Sequence, residues 1–230
     1  NLDNLGQTPE NTALEMPEMV ELVQKINNNN RPHIKKRLKK GVAQGRFISG
    51  GQKEGTIELA GDIFKGKPVY RTRVKPGEVE ENIDKIKEKL SDTLLERDDI
   101  EIDQEYIKND RKVEITVYQK DPEYAAQVLS HEIGHLVDYL PDETMKRGNI
   151  LGRIASLKKY MKWTLEKNDK MPFVDEQDNE KYNRNEIMDE LKELSREWKD
   201  FNPEEDQNYT DYRFSSKELY ADAVSAFVNN

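Results

Sequence analysis

Residues 128–137, VLSHEIGHLV, set the strongest limit on how this chain folds. In a sequence with 36% charged and 34% hydrophobic residues, this run is interrupted by one charge, Glu132, and holds two of the three histidines. Asp121 and Pro122 supply an N-cap and a first-turn proline upstream, and Pro141 a stop downstream, so a helix is expected from about Pro122 to Tyr139. On that helix His131 and His135 lie one turn apart and about 40° apart around the axis, so both imidazoles can reach one ion. Zinc suits them, because it takes neutral imidazole ligands in a tetrahedral site. Glu132 projects about 100° from His131, near enough to reach a metal-bound water without ligating the metal, which is the place of a general base. Ile133, Leu136 and Val137 surround the pair with apolar groups, and Gly134 allows close packing behind it.

The chain has no cysteine, so a metal site must draw on His, Asp and Glu, and no disulfide framework is available. Net charge is −9, which disfavours indiscriminate binding of polyanions. No apolar run approaches the ~20 residues that span a bilayer, and the first residues lack the pattern of a signal peptide. The start on Asn and the stop directly after an expected helix suggest a piece of a longer parent chain. A soluble protein is expected, cytoplasmic in preference to secreted, with targeting signals free to lie outside the piece.

Periodicity gives the remaining elements. Met16, Met19, Val20, Val23 and Ile26 mark a helix that the NNNN run ends. Residues 32–40 read as a short basic helix followed by a glycine-punctuated loop, and residues 56–60 and 69–74 as strands. A helix follows Pro76 and Gly77 with Val79, Ile83, Ile86, Leu90 and Leu94 on one face. Residues 99–107 and 112–119 alternate around KNDR as a hairpin. Two amphipathic helices are expected on the Ile150, Ile154, Leu157, Met161, Leu165 stripe and on the Ile187, Leu191, Leu194, Trp198, Phe201 stripe. Residues 202–216 read as a charged connector, and residues 215–230 as a serine-capped terminal helix. Together these predict an α+β fold: a small mixed sheet, the HEIGH helix and a helical C-terminal part. The division is an N-terminal helical and basic segment, 1–54, and a larger domain, 55–230.

Two histidines require a third protein ligand. His33 sits in the most basic part of the chain, a poor place for a cation, and reads as a surface or capping residue. Asp138 lies on the same helix as the pair, where tetrahedral geometry is poor, and Glu143 on the following loop stays open. Glu218 in KELYADAVSAF is the better candidate, because it and Asp222 share one face of an otherwise apolar helix. With Glu218 on the metal, Asp222 can accept from the outer N–H of a ligating histidine and fix its tautomer.

HEIGH followed downstream by ELYAD resembles the H-E-x-x-H plus E-x-x-x-D pattern of gluzincin metallopeptidases. The resemblance implies a zincin-like fold, one zinc ion held by His131, His135 and Glu218, Glu132 as general base on a zinc-bound water, and Asp222 behind the ligands. It covers two short segments, and the 82 residues between His135 and Glu218 are a longer spacer than thermolysin-like enzymes use. The C-terminal part is most similar to the lethal-factor and Pro-Pro endopeptidase branch, where a tyrosine shortly before the glutamate helps stabilise the oxyanion. Tyr212 stands six residues before Glu218, one fewer than that branch implies, and Tyr209 is the substitute. More loosely, residues 131–160 look like zincin segments of large phage and mobile-element proteins.

The expected activity is hydrolysis of peptide bonds in a peptide or protein substrate. A different class of function, a catalytically weak zincin-fold module with a structural or nucleic-acid-associated role in a larger protein, is the alternative. From Arg31 to Lys53 there are eight basic residues and no acid, against about −17 over the rest. Aromatics are nearly absent there, with only Phe47 able to stack on a base, so solvation or packing against the acidic remainder is favoured over a nucleic-acid site.

Overall fold

The computed structural model describes residues 14–38, 43–91, 99–140, 157–159, 184–198 and 201–229. Its backbone forms two compact units, Asn1–Leu59 with Ala126–Asn230, and Ala60–Ala125. The fold is α+β, and its strands are shared between two three-stranded sheets.

In the first unit, helix α1 (Met16–Ile26) starts on a capping box between Glu15 and Glu18 and buries Met19, Leu22, Val23 and Ile26. Asn28 and Asn29 end it at φ 49° and 64°, a left-handed conformation that asparagine tolerates better than most residues. Strands β1 (His33–Lys35), β2 (Gly45–Ile48) and β3 (Thr56–Ala60) form a sheet in the order β1-β3-β2, with β2 antiparallel to β3. The expected basic helix over 32–40 is therefore replaced by a strand at its start, while residues 39 and 40 lie outside the described residues. Lys35 with Lys39 and Lys36 with Lys40 would be like charges four apart on a helix, with no acid to offset them, and pairing with β3 avoids that repulsion. Gly45–Ile48, expected as loop, is also a strand, fixed by pairing of Arg46 with Glu58 and Phe47 with Ile57.

The second unit holds β4 (Lys67–Val74), α2 (Val79–Ser91), β5 (Ile100–Ile107) and β6 (Lys112–Gln119). Its antiparallel sheet has the order β4-β6-β5, and the hairpin around 108–111 forms as expected, with Arg111 at φ 51° closing the turn. Val113, Ile115 and Val117 alternate onto one face and pack with Val74, Ile100 and Ile102 against Val79, Ile83 and Ile86 of α2. Leu94, at the far end of that expected stripe, lies outside the described residues.

Helix α3 (Tyr124–Tyr139) carries the HEIGH motif, and Asp121 accepts from the Glu123 amide at its start. Of the helix expected over 148–165 only 157–159 are described, and they are helical. Lys158 is buried there and donates to the carbonyls of Val137 (3.0 Å) and Leu140 (2.9 Å), satisfying groups that the end of α3 leaves open. Helix α4 (Arg184–Trp198) follows. The expected connector over 202–216 contains a short helix, α5 (Gln207–Arg213), nucleated by Asp206, whose side chain accepts from the Tyr209 amide. Helix α6 (Ser216–Asn229) ends the described chain. No helix among the described residues is long and apolar enough to cross a membrane.

Candidate metal centre

Two helices that meet almost backbone to backbone build the site. A Cβ placed on Gly134 of α3 would lie 2.6 Å from Ala221 Cα and 3.0 Å from its carbonyl oxygen on α6. Only glycine permits that approach, the close packing expected of it. One turn away, Ser130 Oγ lies 2.8 Å from Ser225 Oγ, and Asn229 Nδ2 donates to Ser130 Oγ at 2.6 Å, which sets the sliding register of the pair.

This register brings His131, His135 and Glu218 together. His131 Nε2 is 3.2 Å from His135 Nε2 and 3.4 Å from Glu218 Oε2, and His135 Nε2 is 3.5 Å from Glu218 Oε1. The distances run to both Glu218 oxygens, and with one ligand atom taken from each residue the three lie within 4.8 Å of one another, close enough to converge on one ion. They form the one group of three or more metal-binding side chains among the described residues. His33 is exposed on β1, Asp138 is outside the group, and Glu143 lies outside the described residues.

Asp222, one turn beyond Glu218, has Oδ1 2.9 Å from His131 Nδ1, which turns Nε2 of that ring toward the other donors. Three residues that sequence reasoning did not single out complete the surroundings. Arg213, 2% exposed, donates to Glu218 Oε2 at 2.9 Å and to Asp222 Oδ2 at 2.7 Å. Ser195 Oγ accepts from the same guanidinium at 2.9 Å. Trp198 stacks on the His131 ring at 4.5 Å between centroids and 28° between planes, and Arg213 lies 5.2 Å from the indole centroid. Stripe position explains the omission of Trp198: at helical spacing it reads as ordinary core.

The charges act on one another strongly. Burial opposes an imidazolium at His131, but hydrogen bonds to Asp222 and Glu218 and the nearby Glu132 charge outweigh it and push the ring up to about 9. Burial and the neighbouring His131 hold His135 down, at about 4. Burial alone would raise Glu218, yet the two histidines and the Tyr212 phenol bring it down to about 2. In the absence of a metal, the proton on His131 thus stands where a cation would.

No family model, curated protein or solved structure matches this chain. What the structure adds to the two motifs is the convergence of His131, His135 and Glu218 into a group that could hold a metal ion.

Glu132 is buried next to the donors. The Phe47 amide of β2 hydrogen-bonds it, while its Oε2 has no partner. Burial, reinforced by the Glu218 charge, raises it to about 7 against the opposing pull of His131 and the Phe47 amide. Gly45 makes room for it, since a Cβ there would fall 2.6 Å from Glu132 Oε1 and 2.9 Å from Val128 Cγ1. Glycine in β2, read in sequence as a sign of loop, is needed for this approach of strand to helix. Tyr212 is 54% exposed as a residue, but its phenol reaches Glu218 as a hydrogen-bond donor, and burial of that end followed by the Glu218 charge raises its pKa. Tyr209 instead sets its ring edge-on to Phe201 at 5.5 Å.

Proposed function

We propose that the chain is a zinc-dependent peptidase acting on a peptide or protein substrate. The placement of Glu132 carries this reading: a carboxyl group with one oxygen unpartnered is buried beside three converging metal donors. A carboxylate in that place can take a proton from an attacking water and return it to the leaving amine. Zinc, when held by His131, His135 and Glu218, supplies the Lewis acidity that activates a water and polarises the peptide carbonyl. Asp222 orients the His131 ring through Nδ1. The Tyr212 phenol, neutral at pH 7 and adjacent to Glu218, is the side chain best placed to donate to the oxygen on which negative charge develops.

Part of the basic stretch is already engaged. Arg46 and Lys53 lie 2.6 and 3.2 Å from the buried carboxylate of Glu58, which supports internal charge compensation over a phosphate-binding role for these two residues.

Cleavage of a mixed peptide library by zinc-loaded protein, with and without chelator, tests the reading. Glu132→Gln should keep zinc and lose at least about 100-fold in rate, the scale of removing a general base. Cleavage at the wild-type rate by that variant would take the role from Glu132. A wild type that binds zinc and cleaves nothing would favour a structural zincin-like module of a larger protein.

A further inference from the structure

Trp198 meets the metal centre with its ring and not with its polar atom. The indole lies on the His131 imidazole with 4.5 Å between centroids and 28° between planes, and the Arg213 guanidinium carbon is 5.2 Å from the indole centroid. A buried tryptophan ordinarily finds a partner for its N–H, yet Nε1 here is buried and has none among the described residues. The side chain is therefore oriented by what its faces touch. Ser195, one turn earlier on α4, ties the same helix face to the site by accepting from Arg213 at 2.9 Å. The other contacts of His131 leave the plane of its ring loosely defined. The torsion that turns a histidine ring is broad and lacks sharp rotamer wells. Asp222 Oδ1, 2.9 Å from Nδ1, holds one corner, but a hydrogen bond tolerates departures of roughly 30° from linearity. His135 stands at 88° to the ring and meets it only at Nε2, 3.2 Å away. The Nε2 lone pair lies in the imidazole plane, so a tilt of the ring swings it away from an ion shared with His135 and Glu218. The stacked indole restricts that tilt.

We propose that Trp198 is a positioning residue that sets the plane of the His131 ring, so that Nε2 points to the place where a metal is shared with His135 and Glu218. The inference rests on the metal-centre reading above. Because Trp198 acts through a ring face, an aromatic replacement keeps the effect and an aliphatic one loses it. A residue that only filled the core would behave differently: phenylalanine and leucine both leave out much of the indole volume, and both would then weaken the protein and its site alike.

The test compares wild type, Trp198→Phe and Trp198→Leu in the full chain, measuring zinc affinity by chelator competition and metal-free stability by urea unfolding. Both variants should lose stability. Zinc affinity should stay near wild type in Trp198→Phe and fall about 10- to 100-fold in Trp198→Leu, the usual scale for losing a group that orients a metal ligand. If Trp198→Leu fails to fold, Trp198→Met takes its place. An affinity in the aliphatic variant no lower than in Trp198→Phe would overturn the proposal while leaving the metal centre intact. A second readout needs no variant: with three histidines in the chain, histidine-labelled, zinc-loaded wild type should show nuclear Overhauser contacts between the His131 ring protons and the indole. Their absence would show that the stack does not survive metal binding, and would overturn the proposal as well. A wild type that takes up no zinc would overturn both this inference and the metal centre.

Discussion

Gly134→Ala separates two opposed expectations. On helix propensity alone the change adds about 0.5–1 kcal/mol of stability, because alanine is the better interior helix residue. The structure predicts the reverse. The new methyl would lie 2.6 Å from Ala221 Cα, 3.0 Å from its carbonyl oxygen and 3.1 Å from its Cβ, and most of what it meets is backbone that no rotamer change can move. Carbon atoms pack at about 3.5–4.0 Å, so α3 and α6 must part by about 1 Å. Overpacking of this kind costs about 1–3 kcal/mol, which outweighs the propensity gain and leaves the metal-free protein less stable by about 1–2 kcal/mol. Metal affinity should fall further, because His131 and His135 flank Gly134 on α3 while Glu218 rides on α6. Donors now 3.2 to 3.5 Å apart would separate by several times the ~0.2 Å within which metal bonds are held. Zinc affinity should drop at least about tenfold, equivalent to ~1.4 kcal/mol. Urea unfolding of the metal-free proteins measures the first effect and chelator competition the second. A Gly134→Ala protein that is as stable as wild type and binds zinc equally well would refute the close approach of the two helices.

Replacing His131, His135 or Glu218 singly by alanine should abolish stoichiometric zinc binding, read by metal analysis after dialysis, and full occupancy in Glu218→Ala would send the search for a third ligand to Glu143. Tyr212→Phe should retain zinc and lower kcat about 10- to 1000-fold with little change in KM, whereas Tyr209→Phe should stay near wild type; the opposite pattern would reassign the oxyanion donor. In metal-free protein the folded pKa of His131 is raised from 6.5 to about 9, so its contribution to stability is complete below pH 6.5 and is lost as pH climbs through 9. Glu218 is lowered from 4.5 to about 2, so its contribution is present above pH 4.5 and is lost as pH falls through 2. The metal-free melting temperature should therefore fall between pH 6.5 and 9, and zinc affinity should rise about tenfold per pH unit between pH 7 and 9 as the His131 proton becomes easier to displace. A flat affinity over that range would show that His131 is already neutral.

The parts of the site that could be read from sequence are those whose geometry is local. His131, Glu132 and His135 lie within five consecutive residues of a bounded helix, and Glu218 and Asp222 lie one turn apart, so helical spacing alone orients each group. The joining of the two groups depends on Gly134 meeting Ala221 and on the Ser130–Ser225 contact, which no periodicity records. Arg213 is one of 37 basic residues and sits beside a stretch that reads as connector, and its burial becomes visible only once α5 and α6 place it against both acids. The fold divides the same way. The hairpin of β5 and β6 and the face of α2 follow from alternation and helical period, while β1 and β2 are too short and too polar to show either pattern and exist through pairing in their own sheet.

Charge balance accounts for why so many ionisable groups share one dry place. Glu218 and Asp222 are acids at 5% and 1% exposure, and Arg213 compensates for only one negative charge. An uncompensated buried carboxylate is strongly destabilising, so the cluster needs a further cation. In metal-free protein a proton supplies it, which is why His131 holds one to about pH 9 although it is buried and close to another imidazole. On the proposed reading, a divalent ion exchanged for that proton would supply the positive charge the two acids require. For Glu132 burial is the larger effect, and with the Glu218 charge it raises the carboxyl to about 7 against the pull of His131. On the proposed reading, the arrangement that favours a cation among His131, His135 and Glu218 also leaves Glu132 buried beside it with one oxygen unpartnered, so a metal site and a proton acceptor would share one arrangement of charge.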